Sequence, residues 1–249
     1  MKRFLAALRF LTILPVPGTW GTAEEDLARS VPFFPIIGLL VGAAVAALAW
    51  GLAQVAPPLV AAAVLVIALV GCSGGLHLDG LSDTADGLLS SRTRERMLEI
   101  MKDSHVGAMG VLAIVGVVLV KFAALASVPR ERLWPVALLM PLAGRAAICV
   151  HMALLPYLRE NGLAGVFYRR SLWPSAVVAM ALLATVSWLL LDTAGLIVWA
   201  ASLAATLLLA AYGYRKIGGA TGDTLGAVCE IVEAVPALTV AVWPVDLLR

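Results

Sequence analysis

The sequence predicts an all-α fold: a polytopic membrane bundle of about seven transmembrane helices, preceded by one helix lying at the membrane interface. Three observations predict it. Of 249 residues, 61% are hydrophobic and only 14% charged, against roughly 25% charged in a soluble domain. Mean hydropathy is +0.96. Apolar stretches of bilayer-spanning length, about 20 residues, recur along the chain. A net charge of +2 is too small to argue for nucleic acid as a partner. Cys72, Cys149 and Cys229 lie in apolar surroundings without C-x-x-C spacing and read as reduced, buried fillers.

The N-terminal run "MKRFLAALRFLTILPVPG" superficially suggests a signal peptide. Arg9 interrupts its apolar region and no small-x-small cleavage site follows. Phe4, Leu8 and Leu11 share one helical face and Lys2 and Arg9 another, which predicts an interfacial amphipathic helix. The spans that follow are expected at 31–55, 57–78, 108–128, 133–155, 173–192, 193–212 and 225–246. Pro57 and Pro58 mark the first turn. The junction in "LDTAG" at 192–193 is so tight that the two helices there can instead be one broken element. No internal repeat or low-complexity tail interrupts the pattern, so residues 1–249 read as one membrane domain.

Orientation follows from the cationic residues in the connections. With the N-terminus in the cytoplasm, that side holds Lys2, Arg3, Arg9, Arg29, Arg92, Arg94, Arg96, Lys102, Arg159, Arg169, Arg170, Arg215 and Lys216. The other side holds Arg130, Arg132 and Arg249. Lys121 and Arg145 fall inside spans. The asymmetry predicts a multi-pass protein of the cell (inner) membrane with the N-terminus inside and the C-terminus outside.

The same assignment collects the acidic motifs on the cytoplasmic side. In "GGLHLDGLSDTADGLLSSR" the spacing of Asp79, Asp83 and Asp86 is i, i+4, i+7, one face of a helix. Three stacked carboxylates without interleaved Lys or Arg call for a cation, and Mg²⁺, which binds carboxylates and bridges to phosphates, is the natural one. Gly80 and Gly87 leave that helix bare enough for close approach. In "MKDSHVGAMG", Asp103 is a candidate fourth ligand, or with Ser104 a cap for the next helix. Arg92, Arg94, Arg96 and Lys102 divide between topology signal and phosphate contacts. "KIGGATGDTLGAVCEIVEA" places Asp223, Gly226, Ala227, Glu230 and Glu233 along one side of a helix, where small residues allow close packing and intramembrane glutamates point to function or pairing. Gly218, Gly219 and Gly222 free its entry. Arg145 should face protein and pair with Glu230 or Glu233, whereas Lys121 can snorkel outward. His77 is as readily structural as catalytic, and His151 reads as a satisfied core residue.

The segments "LRFLTILPVPG", "FFPIIGLLVG", "GGLHLDGLSDTADGLLSSR", "MKDSHVGAMG" and "GGATGDTLGAVCEIVE", running from Leu8 to Glu233, resemble the cobalamin synthase family, the adenosylcobinamide-GDP ribazoletransferases of the late vitamin B12 pathway. The resemblance implies a Mg²⁺-dependent transfer at the cytoplasmic membrane, in which α-ribazole or its 5′-phosphate is joined to the cobinamide phosphate and GMP leaves. On their spacing and charge, Asp79, Asp83, Asp86 and Asp103 are the expected metal ligands, with Asp83, Asp86, Asp103 and His77 expected in catalysis. Arg92, Lys102, Ser104, Arg145, Gly222, Asp223, Glu230 and Glu233 would bind substrate. A homo-oligomer, or a complex with other late-pathway enzymes, is compatible with it.

Asp83-x-x-Asp86-Gly87 also looks like the start of the CDP-alcohol phosphotransferase signature. The chain then departs from it, with no Ala-Arg at the expected offset and no G-x-x-x-D-x-x-x-D run. An ion-coupled transporter is the other alternative, but transporters place ligand groups near the bilayer midplane, and here the densest carboxylate cluster lies at one membrane face.

Overall fold

The computed structural model describes residues 1–159 and 162–243, and among these the regular structure is helical apart from one isolated β-bridge. The helices are α1 (Lys2–Leu11), α2 (Glu24–Ala28), α3 (Phe34–Val55), α4 (Pro58–Cys72), α5 (Leu76–Leu88), α6 (Arg94–Ile100), α7 (Ala108–Ser127), α8 (Arg130–Leu154), α9 (Trp173–Ile217) and α10 (Gly222–Val242). Short 3₁₀ turns occupy Val31–Phe33 and Leu163–Arg169. Five helices are long and apolar enough to cross a membrane, six when α4 and α5 are taken as one bent span. The architecture is that of a polytopic helical membrane bundle.

Helix α8 is the central post, buried from Leu139 to Met152 without interruption and packed against α3, α9 and α10. Small residues set those crossings. A Cβ on Gly38 would lie 2.7 Å from the Pro141 carbonyl oxygen, and one on Gly42 would collide with the Leu138 carbonyl. Both side chains are absent from the α3–α8 seam so that the backbones can touch, the usual device where lipid offers no hydrophobic drive for association. Pro141 inside α8 also lacks the N–H that would bond the Ala137 carbonyl.

One helix departs from its expected straight course, and another breaks where the sequence placed a junction. The span expected at 57–78 ends at Cys72, and α5 leaves α4 at an angle of 89°. Ser73-Gly74-Gly75 makes the corner, with φ of 61° at Gly74 and 79° at Gly75, a left-handed region that glycine enters without steric cost. Helix α9 is broken at Asp192, whose φ of 51° and ψ of −130° are not helical. A Cβ on Gly195 would collide with the Ser187 carbonyl, although eight residues of straight helix span about 12 Å. The two arms of α9 therefore fold back on one another.

Helix α1 is amphipathic as expected, but its apolar face packs on protein: Ala6, Ala7 and Leu11 are buried, and Phe4 and Phe10 meet Phe33 and Phe34 at ring-centroid distances of 6.0 Å. Arg9 turns back on the chain after α1, where its guanidinium donates to the Val16, Gly18 and Trp20 carbonyls. The expected end of the last span, at residue 246, and Arg249 lie outside the described residues.

Candidate active site

The glycines at the crossing of α5 and α10 explain how a carboxylate helix comes to face a second carboxylate. A Cβ on Gly80 would lie 2.8 Å from the Asp223 carbonyl oxygen and 3.1 Å from the Gly226 Cα, and one on Gly226 would lie 3.0 Å from the His77 carbonyl oxygen. The backbones are in contact there, and Asp79 and Asp223 reach the same cavity on one side of the crossing. Thr221 caps α10 in a reciprocal capping box with Thr224, which places Asp223 in the first turn, where the N-terminal helix dipole favours a carboxylate.

A third element closes the group. Tyr157 pairs with Ala220 in the β-bridge, with Leu158 N–H donating to the Ala220 carbonyl at 2.9 Å and Ala220 N–H to the Pro156 carbonyl at 2.8 Å. This ties the connection after α8 to the entry of α10. It also carries Arg159 to Asp223, and the Arg159 Nη2 donates to Asp223 Oδ2 and, at 3.0 Å, to the Met101 carbonyl. The Thr221 hydroxyl donates to the same Oδ2 at 3.3 Å, so Oδ1 remains for a ligand. Asp83 lies in the electrostatic field of Asp223, Asp79, Arg159 and Asp86.

The cavity has a volume of about 210 Å³. Asp79, Asp223 and Arg159 contribute its polar lining; Phe10, Leu11, Phe34, Leu76, Ile148 and Leu163 its apolar lining. Tyr157, Arg159, Gly162 and Leu163 are shared with a neighbouring recess of about 440 Å³ that adds Glu24 and Arg169. The arrangement can hold a ligand with an apolar ring, a hydroxylated or phosphorylated middle, and a further polar portion in the recess.

Of the residues expected in the site, His77, Asp79, Gly222 and Asp223 line this cavity, and Asp83 is their electrostatic neighbour. Asp86 has other work: its carboxylate accepts the N–H of Gly107 at 2.7 Å and of Gly110 at 2.9 Å, capping α7 from a distance. Asp103 is exposed and bonded to its own loop, accepting the His105 N–H at 3.1 Å and lying 2.6 Å from His105 Nδ1. That pairing holds the Asp103 carboxyl below its usual range and the His105 imidazole above its own. Ser104, Arg92 and Lys102 are exposed. Arg94 donates to the Ile217 carbonyl at 2.6 Å, closing the C-terminus of α9. Among the described residues, no group of three His, Cys, Asp or Glu side chains is placed to hold a metal ion.

Arg145, Glu230 and Glu233 lie inside the bundle, no more than 3% exposed, and none lines the cavity. Arg145 pairs with Glu233, as the sequence suggested, but Lys121 does not snorkel. It is 1% exposed and donates to Glu230 and, at 2.8 Å, to Glu233. Two cations and two carboxylates form a neutral quartet joining α7, α8 and α10. His151 is not a satisfied core residue either, since neither ring nitrogen has a hydrogen-bond partner. Sequence reasoning missed Arg159, counted only as a topology signal, and the contribution of Phe10 and Leu11. Arg159 needed the bridge between residues 157 and 220, which no local pattern announces.

Comparison with known proteins identifies the family. The family model described as cobalamin-5-phosphate synthase matches residues 3–241. Curated relatives named adenosylcobinamide-GDP ribazoletransferase include one from Roseiflexus sp., 44% identical over 94% of this chain and 87% of its own length. One from Acetivibrio thermocellus is 40% identical over 93% and 94%, and one from Geotalea daltonii 37% identical over 96% of each. No solved structure matches the chain. A match from residue 3 to residue 241, which takes in the carboxylate helix, the Arg159 connection and the first turn of α10, leaves one assignment: the chain belongs to the cobalamin-5-phosphate synthase family.

Proposed function

We propose that the chain transfers ribazole, or its 5′-phosphate, onto adenosylcobinamide-GDP with release of GMP, at the cytoplasmic face of the inner membrane. The observation that carries this reading is the meeting of Asp79, Asp223 and Arg159 on one cavity, beside Asp83, at one end of the bundle. A ribose hydroxyl oxygen of the nucleoside forms a bond to the cobinamide-bearing phosphorus. The bond from that phosphorus to the GMP oxygen breaks, and GMP leaves with the electron pair. Asp83, the middle carboxylate of the row, takes the hydroxyl proton. Arg159 holds Asp223 in place and offers its guanidinium to phosphate oxygens.

The donor set suits Mg²⁺. This ion commonly takes only one or two protein carboxylates and completes its shell with waters and substrate phosphates. Asp79 and Asp223 would hold it without a three-ligand protein cage, Asp83 being left as the base, and once bound it would neutralise charge on the diphosphate. Seven crossings follow if each arm of α9 crosses once and α4 with α5 once. The end of the bundle that carries the cavity also carries most of the cations, which favours a cytoplasmic location.

The test is GMP release by the purified protein given adenosylcobinamide-GDP, α-ribazole and Mg²⁺. Chelation should stop it, and Asp83→Asn should lower kcat by about 10²-fold or more while the protein stays folded, the range of a lost general base. No GMP from the wild-type protein would overturn the reading. Near-wild-type turnover in Asp83→Asn would remove Asp83 from the chemistry.

A further inference from the structure

A groove between α3 and α8 lies away from the cavity and takes no part in the transfer. Its apolar part, about 570 Å³, is lined by Ala43, Ala46, Ala47, Trp50, Trp134 and Leu138. Its mouth, about 420 Å³, adds Arg130 and Glu131 to the same two tryptophans. Phe34, at the start of α3, lines the active-site cavity. From residue 34 to residue 50 the helix rises about 24 Å, most of the roughly 30 Å thickness of a bilayer's hydrocarbon core. The groove mouth and the active site therefore lie near opposite ends of the bundle.

The groove grades from apolar to charged along its length. Ala43 and Ala47 are exposed and too small to fill the trough beside α8. Above them, Trp50 is 63% exposed and Trp134 38%, and tryptophan so placed is typical of the headgroup level of a membrane. At the mouth, the Arg130 guanidinium donates to the Ala53 carbonyl at 3.2 Å and the Ala56 carbonyl at 3.4 Å, acceptors left over at the C-terminal end of α3. These bonds fix the fork in place and use two of its five N–H groups. Neither Arg130 nor Glu131 has an ion pair among the described residues. An unpaired cation beside an unpaired carboxylate complements a zwitterion. It disfavours a ligand with net negative charge, which Glu131 repels. A second copy of this chain fits less well, because close helix contact in lipid needs small residues flush with one another and Trp50 stands out from the surface.

We propose that this groove is a binding site for a phospholipid whose phosphate carries an aminoethyl group, phosphatidylethanolamine. One acyl chain lies in the trough over Ala43, Ala46, Ala47 and Leu138, and the glycerol sits between Trp50 and Trp134. The phosphate accepts from the remaining N–H groups of Arg130, and the ammonium donates to the Glu131 carboxylate. The site is independent of the transferase reading and at the other end of the molecule from it.

The test is native mass spectrometry of the full-length, delipidated protein in mild detergent. It is titrated with phosphatidylethanolamine, phosphatidylglycerol and phosphatidylcholine of identical acyl chains. One saturable phosphatidylethanolamine should bind, about threefold or more tighter than either of the others. Arg130→Gln should weaken it about tenfold. Glu131→Gln, an exposed change without an ion pair to break, should abolish the preference over phosphatidylglycerol. Ala47→Phe, which fills the trough from an exposed position, should remove the saturable site from a protein of unchanged thermal stability. Equal occupancy by all three lipids in the wild-type protein, unaltered in Glu131→Gln and Ala47→Phe, would overturn the proposal and leave only general lipid contact. A dimer that Ala47→Phe dissociates would overturn it too, in favour of a second copy. If Arg130→Gln fails to fold, the other two variants decide.

Discussion

Lys121, Arg145, Glu230 and Glu233 show what one side chain decides. Each is buried, and each cation has a carboxylate within reach. Removing one member leaves a charge in the bundle without its counterpart, at a cost of about 3–5 kcal/mol. Lys121→Met should therefore lower the thermal unfolding midpoint in detergent sharply. Adding Glu230→Gln to it should restore much of the loss, because the Arg145–Glu233 pair then stands alone and neutral. Unfolding of Lys121→Met at the wild-type temperature would show that the quartet contributes nothing to stability. The quartet also separates two kinds of acidic residue in α10: Asp223 is open to a ligand, whereas Glu230 and Glu233 are engaged in holding the bundle.

Helices α5 and α10 carry the site because their glycines let them touch. Gly80→Ala would push a methyl group against the Asp223 backbone at 2.8 Å, and backbone cannot swing aside as a side chain does. An expected penalty of about 1–3 kcal/mol should be accompanied by loss of GMP release beyond what the unfolded fraction explains, because Asp79 moves away from Asp223. Gly51→Ala is the control: it is helical, and a Cβ there meets nothing within 4 Å, so it should be neutral or stabilising by up to about 1 kcal/mol. Wild-type turnover in Gly80→Ala would break the link between that crossing and the chemistry. The course of most elements was legible from periodicity and apolar length: α3, α7 and α8 fall within a few residues of their expected bounds. The corner at Gly74 and Gly75 was not, because a continuous apolar run carries no mark of direction. Close packing of the Asp223 face was anticipated from its small residues, but Asp79 as its neighbour across the crossing was not. Asp86 was assigned by charge and helical spacing and Asp103 by charge and position, and neither distinguishes a ligand from a helix cap or a loop hydrogen bond.

At the scale of the whole molecule the proposal predicts sidedness. Cys149 and Cys229 are buried and Cys72 half-buried, so an introduced thiol should dominate labelling. Ser104→Cys, in the exposed loop after α6, should resist a membrane-impermeant maleimide in intact cells and react once they are opened. Gln54→Cys, near the far end of α3, should react in intact cells; the reverse pattern would invert the orientation. The 89° corner between α4 and α5 has a further effect, which concerns depth. Along an upright helix, Asp79 and Asp86 would differ in depth by about 10 Å, and the deeper carboxylate would bear the larger cost of immersion in hydrocarbon. If α4 stands upright in the bilayer, α5 lies across it and keeps Asp79, Asp83 and Asp86 on one level, like floats along a line. A water-soluble nucleoside and a large amphiphilic corrinoid can then meet at that level, neither having to leave the medium it prefers.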